Sequence, residues 1–186
     1  MKIIKLHNSQ KSLIKKASNN NREAQEQLFK QYSPKMLGVC RQYVKDNHHA
    51  EDLLLQGFFK VFKSLHTFKH EGSFEGWIRR IMVNTCISYL RKKNVIDLSD
   101  EDYVFNDAAT ESLENTSVED IQKLIDQLPE GYKMVFNLFA IEGYKHSEIA
   151  EQLGISESTS KSQLFKARKQ LQQNYIKMNT VVHEDK

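Results

Sequence analysis

Turn-forming residues are scarce: the 186-residue chain has two prolines and seven glycines. Sandwiches and barrels need a turn signal about every 8–12 residues, and a collagen helix needs glycine at every third position, so neither class fits. Cysteine is as scarce. Cys40 and Cys86 stand alone, with no Cys-x-x-Cys and no Cys/His cluster at metal-ligand spacing. Two buried free thiols are expected, with one long-range disulfide left open. No stretch approaches the roughly 18 apolar residues of a membrane span, so no membrane insertion is expected. The opening Met1-Lys-Ile-Ile-Lys-Leu-His-Asn lacks the apolar core and cleavage site of a secretion signal, which points to the cytoplasm. Catalytic sets are missing too. Adjacent Glu51 and Asp52 point in different directions on a helix, His48-His49 lacks the i,i+4 spacing of a helical metal pair, and no Ser/His/Asp or Cys/His set stands in an activating arrangement. The expectation is a protein with no enzymatic activity, no cofactor and no metal.

What is present is charge, unevenly spread. The total of +3 says little, but Asn94 to Asp120 holds nine acidic residues and no Lys or Arg, leaving +12 on the rest. That excess favours a polyanionic partner. Apolar residues at 39% and charged residues at 27% describe a polar chain that can still fold.

Helical periodicity covers 9–93 and 119–177 and is almost absent between them. In the first block the spacing predicts helices over about 10–18 and 22–32, then a restart at Ser33-Pro34, where Ser can cap and Pro suits the first helical position. Met36, Leu37, Cys40, Tyr43 and Val44 form the next buried stripe. A helix from His48 to Leu65 buries Leu54, Phe58, Val61, Phe62 and Leu65 and leaves Glu51, Asp52 and Gln56 outside. Thr67 to Ser73 reads as a loop, with Ser73 capping a helix over 74–93 that carries Trp77, Ile78, Ile81, Thr85 and Tyr89. The acidic, Ser/Thr/Asn-rich stretch 94–118 reads as an interdomain tether. Four helices are expected after it, over 119–127, 130–141, 146–153 and 157–175, with 178–186 as a tail. The fold class is therefore all-α: two small helical domains joined by a long acidic linker.

Two segments suit nucleic acid. His146 to Arg168 reads as a helix-turn-helix: Ile149, Ala150 and Leu153 inside, Gly154 at the left-handed turn, Ile155 plugging the core, Ser156 capping, and Leu164, Ala167 and Leu171 holding the second helix down. Its outer face presents Glu157, Ser158, Thr159, Lys161, Ser162 and Gln163 toward base edges. Lys166, Arg168 and Lys169 follow, suited to phosphates. An ordinary helical hairpin with a solvated face is the plainer alternative. Lys60 to Lys93 has eight Lys/Arg against two Asp/Glu, interleaved with Phe62, Phe68, Phe74, Trp77 and Tyr89. Cations with aromatics suit single strands. Most of those rings also read as core, with Phe74 and Trp77 the exceptions, and the terminal Arg91-Lys92-Lys93 also complements its helix dipole.

Taken in order, Tyr32-Ser-Pro-Lys-Met-Leu-Gly-Val-Cys40, Ala50-Glu-Asp-Leu53, Gly72 to Asn84, and Leu128-Pro-Glu-Gly-Tyr-Lys133 through Lys169 resemble the RNA polymerase sigma factors of the extracytoplasmic-function group. The resemblance covers about 10–93 (region 2) and 119–173 (region 4). It implies a protein that binds core RNA polymerase, β′ clamp helices and β subunit included, and promoter DNA in duplex and single-stranded form, under the control of an anti-sigma factor. It assigns Glu51, Asp52 and Gln56 to polymerase docking. Phe68, Lys69, His70, Ser73, Trp77, Arg79, Arg80 and Asn84 fall to the −10 element, and the helix from Glu157 to Lys169 to the −35 element. Leu55 and Gln56 stand where the family often has Gln-Glu, Ser88 where Asp is frequent and Ser160 where Val is frequent. The last implies a looser recognition-helix core. A tether of about 25 residues at ~3.4 Å each reaches ~85 Å, more than two duplex turns of ~34 Å. A stand-alone helix-turn-helix regulator is the alternative reading.

Overall fold

The computed structural model describes residues 2–92 and 118–184, which are helical with no strand among them. The acidic tether expected over 94–118 lies outside the described residues except for Val118. The chain divides into two compact units, Met1–Tyr89 and Leu90–Lys186.

The first unit opens with α1 (Lys2–Ser18), which starts earlier than the expected residue 10. No Gly or Pro interrupts the segment, so extension costs only propensity once a nucleus exists. α1 stops at Asn19-Asn20-Asn21. Asn20 takes a left-handed φ of 60°, which Asn tolerates better than most residues. The Asn21 side chain then caps α2 (Arg22–Tyr43), accepting from the Ala24 N–H at 2.8 Å.

α2 corrects the expectation of a break at Ser33-Pro34: it is one helix with Pro34 inside. An interior proline costs about 3 kcal/mol. Against that, Leu28 and Tyr32 before it and Met36, Val39, Cys40 and Tyr43 after it are all buried on one continuous stripe. Burying each such side chain contributes roughly 1.5–3 kcal/mol, so the stripe outweighs the lost hydrogen bond.

Asp46 caps α3 (Asn47–Ser64) through the His49 N–H at 2.8 Å, and a 3₁₀ turn, Leu65–Thr67, ends it. α4 (Phe74–Lys92) packs on α2 through Phe74 against Tyr32 and on α3 through Met82 at Gly57 and Thr85 at Lys60. Its buried face is Phe74, Ile78, Met82, Val83, Cys86, Ile87 and Leu90. Of the expected set, Ile78 and Thr85 are buried, whereas Trp77, Ile81 and Tyr89 are half-buried. Cys40 and Cys86 are free and buried, and their thiols hydrogen-bond α2 to α4. That bond and then burial push the Cys86 thiol far above its ordinary range.

In the second unit, α5 (Val118–Asp126) is followed by α6 (Glu130–Phe136), whose end widens into a π-helical segment, Asn137–Ile141. α7 (His146–Leu153) has the expected bounds. At its start the Lys145 N–H donates to Glu148 Oε2 at 2.8 Å, and at its end Gly154 takes φ 71°. α8 (Glu157–Glu184) runs past the expected end at 175 and into the expected tail, again with no Gly or Pro to stop it. Leu124, Ile125, Leu128, Met134, Val135, Leu138, Ile149, Leu153, Leu164 and Ala167 form the core. Ile155, expected to plug it, is half-buried, as is Leu171.

Two glycines give a paired prediction. A Cβ on Gly57 of α3 would run into the Met82 side chain of α4, whereas a Cβ on Gly38 of α2 meets nothing within 4 Å. Gly57→Leu is expected to destabilise the first unit by about 2 kcal/mol through overpacking. Gly38→Ala is expected to stabilise it by roughly 0.5–1 kcal/mol. Urea unfolding midpoints of the two variants check both signs.

Candidate nucleic-acid interface

In the first unit the Phe68–Ser73 loop has a defined shape. Leu65 O accepts from the Phe68 N–H at 3.2 Å, and Ser64 O from the Thr67 hydroxyl at 2.7 Å. His70 (φ 59°) and Gly72 (φ 82°) turn the chain through left-handed positions. Ser73 then caps α4, its hydroxyl accepting from the Gly76 N–H at 3.3 Å. Phe68 sits among rings, with centroids 4.9 Å from His70, 5.0 Å from Phe74 and 5.4 Å from Trp77. Phe74 and Trp77 stack at 5.8 Å. Phe74 is 4% exposed and packs edge-on against Tyr32, so it is the floor of the cluster and not the free ring expected from sequence. Trp77 and Phe68 are half-buried and reach the surface.

Ser73, Trp77, Arg80 and Asn84 follow steps of four, three and four, so they share one outward line on α4, with Lys69 and His70 exposed on the loop beside its start. Arg79 falls off that line: it is half-buried and its guanidinium lies 3.5 Å from Gln42 Oε1 on α2. Rings flanked by cations on a rigid helix can stack unpaired bases and neutralise their phosphates.

On α3, Glu51, Asp52 and Gln56 are exposed. Between them stand two residues that sequence reading did not assign, Leu55 at 59% and Phe59 at 71% exposed. The signal was available, because both lie off the buried stripe at i,i+4.

On α8, Glu157, Ser158, Lys161, Arg168 and Lys169 are exposed, and Ser162 and Lys166 are half-buried. Thr159 and Gln163 are each 3% exposed, which corrects their placement on the outer face. They lie on one inward line with Ser160, Leu164 and Ala167; sequence reading had sorted them by polarity and not by helical angle. The Thr159 N–H donates to the Ser156 hydroxyl at 2.9 Å, completing the expected cap. Lys161 pairs with Glu157 at 2.8 Å.

Ser160 is the second correction. It is fully buried, but its hydroxyl meets His146 Nδ1 of α7 at 2.9 Å, so the site is a polar clamp and not a loosened core. The His146 ring stacks on Phe139 at 4.5 Å, and the Arg168 guanidinium lies 5.7 Å from the Phe139 centroid. The π-helical segment thus carries the ring that orients an outer-face cation. Burial, then the charge of Lys161, push His146 below its ordinary value.

That depression has a sign. The unfolded chain binds a proton at His146 before the folded one does, so acid favours unfolding. Stability is expected to fall as pH drops through about 6.5, the ordinary histidine value. His146→Gln is expected to flatten that fall relative to the wild type. Urea midpoints of both proteins between neutral and mildly acid pH check it, and equal slopes would contradict the clamp.

Comparison with known proteins matches this layout. Residues 28–95 match the Sigma-70 region 2 family and 118–171 the Sigma-70, region 4 family. An RNA polymerase sigma factor, SigZ of Bacillus subtilis, is 32% identical over 151 residues, 80% of this chain and 85% of the relative. The ECF RNA polymerase sigma factor SigE of Mycolicibacterium smegmatis is 29% identical over 153 residues, 78% of this chain but 59% of that longer relative. A solved sigma factor from Bartonella quintana, in complex with the anti-sigma factor NepR, has the same fold. Its TM-score is 0.50 at 22% identity, over 80% of this chain and 94% of that one. The chain belongs to the RNA polymerase sigma factors, in their extracytoplasmic-function group, and acts in directing transcription initiation.

Proposed function

We propose that the first unit docks on core RNA polymerase through the outer face of α3 and holds unpaired −10 bases on the Phe68–Ser73 loop and α4. In the same proposal the outer face of α8 grips the −35 duplex, and the protein catalyses no reaction of its own. The observation that carries the docking assignment is the exposure of Leu55 and Phe59 among Glu51, Asp52 and Gln56. An apolar pair flanked by two carboxylates suits a protein surface that is basic at its rim, with the apolar side chains as anchors and the charges setting register. DNA would repel those carboxylates, so this face and the α4 line serve different partners.

The second unit contributes Lys166, Arg168 and Lys169 toward phosphates, with Ser158, Lys161 and Ser162 nearer base edges. The acidic stretch between the units is repelled by DNA, so it is assigned to a basic protein channel. An anti-sigma factor, such as the one that holds the Bartonella quintana sigma factor, is proposed as a further partner. A cytoplasmic location follows from these roles.

Asp52→Lys and Phe59→Glu are each expected to weaken binding to core polymerase by roughly 2 kcal/mol, about thirtyfold, because each leaves a mismatched charge in a desolvated contact. Both residues are exposed, so thermal stability is expected to stay within about 0.5 kcal/mol of wild type. A pull-down titration against core polymerase reads the affinity, and wild-type affinity in both variants would refute the docking face.

A further inference from the structure

α1 precedes the residues matched to region 2, which begin at 28, and nothing so far gives it a role. It lies against the Leu65–Thr67 turn, and the two enclose an open cleft of about 390 Å³. That volume falls within the roughly 300–1,000 Å³ of small-molecule sites. Lys11, Ser12 and Lys15 line its α1 wall, and His66, Phe68 and His70 line the opposite one. Lys11 and Lys15 are one helical turn apart, both exposed.

Among the described residues the lining contains no carboxylate. Of the nearby acids, Glu75 is held by the Lys35 ammonium at 3.0 Å, and Glu71, though in the loop, does not line the cleft. One wall is therefore cationic and the other carries an aromatic ring with two imidazoles. Those are the two halves of a nucleotide: a phosphate to neutralise and a base with a π-face. His70 is held at a φ of 59°, a conformation that costs energy and persists only where the surrounding structure fixes it. Its ring lies edge-on to Phe68, at the border between the cleft and the Phe68–Phe74–Trp77 cluster.

We propose that this cleft is a second nucleotide subsite, with Lys11 and Lys15 binding the phosphate of the nucleotide next to the base held on the Phe68–Trp77 surface. The inference rests on the reading of that loop as a single-strand site. It adds that α1 grips the backbone and that the grip is independent of sequence.

The test is fluorescence anisotropy of the full chain with a labelled short single-stranded DNA, titrated across salt. Lys11→Ala/Lys15→Ala removes two phosphate contacts, so the log–log salt slope is expected to fall by about 1.4. The affinity deficit at 50 mM salt is then about sevenfold larger than at 200 mM. A control with the same charge change outside the cleft, Lys16→Ala/Arg22→Ala, is expected to leave the slope near wild type. On an oligonucleotide with neutral methylphosphonate linkages the cleft variant is expected to match wild type. An unchanged slope in the cleft variant, or an equal drop in the control, overturns the subsite. Displacement of the strand by micromolar free nucleotide overturns its assignment to a strand and makes the cleft a mononucleotide site. Trp77→Ala separates the two readings: weaker binding with an unchanged slope supports base stacking whatever α1 does. Unchanged binding in that variant, with the Lys11/Lys15 effect intact, refutes the stacking surface and leaves the phosphate grip standing. Failure of the wild-type chain to bind the strand overturns both.

Discussion

The seating of α4 against α2 and α3 is the constraint on which the first unit depends. Gly57 lets the Met82 side chain into α3, the Cys40 and Cys86 thiols meet, and Lys60 reaches Thr85 at 3.0 Å. These contacts fix the inner face of α4, and a helix has no freedom to present a second face independently. Ser73, Trp77, Arg80 and Asn84 point outward because Ile78, Met82 and Cys86 point inward. The loop inherits the same order through Phe74, which is buried as part of the core and stacked as part of the aromatic cluster.

The second unit obeys a different constraint. Its helix α8 is held not only by Leu164 and Ala167 but by hydroxyl groups: Ser156 at the cap, Thr159 turned inward, and Ser160 joined to His146. Polar atoms at these positions are tolerated because each has a partner. His146 thus joins Ser160 of α8 to the Phe139 ring, over which the Arg168 guanidinium lies. The helix therefore exposes fewer polar side chains than its composition suggests, because Thr159, Ser160 and Gln163 are buried.

Much of this was legible in the sequence. The all-α class, the α7 bounds, the Gly154 turn, and the Ser73 and Ser156 caps follow from local chemistry with short-range rules. So does the exposure of Glu51, Asp52 and Gln56, because the neighbouring apolar stripe is unambiguous. The misreadings share a cause, which is that residue type was allowed to stand for position. Pro34 signals a break by residue type, although the stripe on both sides of it shares one helical phase. Thr159 and Gln163 signal exposure by polarity, and Phe74 by its place at a helix start, yet all three are buried. Leu55 stands out in sequence only as a departure from the family pattern, and Phe59 lies off the buried stripe without a motif to mark it. The cleft beside α1 was beyond sequence reading altogether, since it joins residues some 50 positions apart.

The central claim is that the loop and α4 hold unpaired promoter bases for a polymerase bound elsewhere on the same unit. It is tested most directly by permanganate reactivity of thymines near the start site on linear duplex template, with purified core polymerase. Wild-type chain should open the duplex and yield run-off transcript. Deleting His70 and Glu71 should leave polymerase binding intact and abolish the reactivity, because the single-stranded product loses the contacts that offset its unstacking. A pre-melted bubble template should restore part of the transcript. Normal reactivity on duplex template in the deletion variant would contradict the account and move melting to another surface.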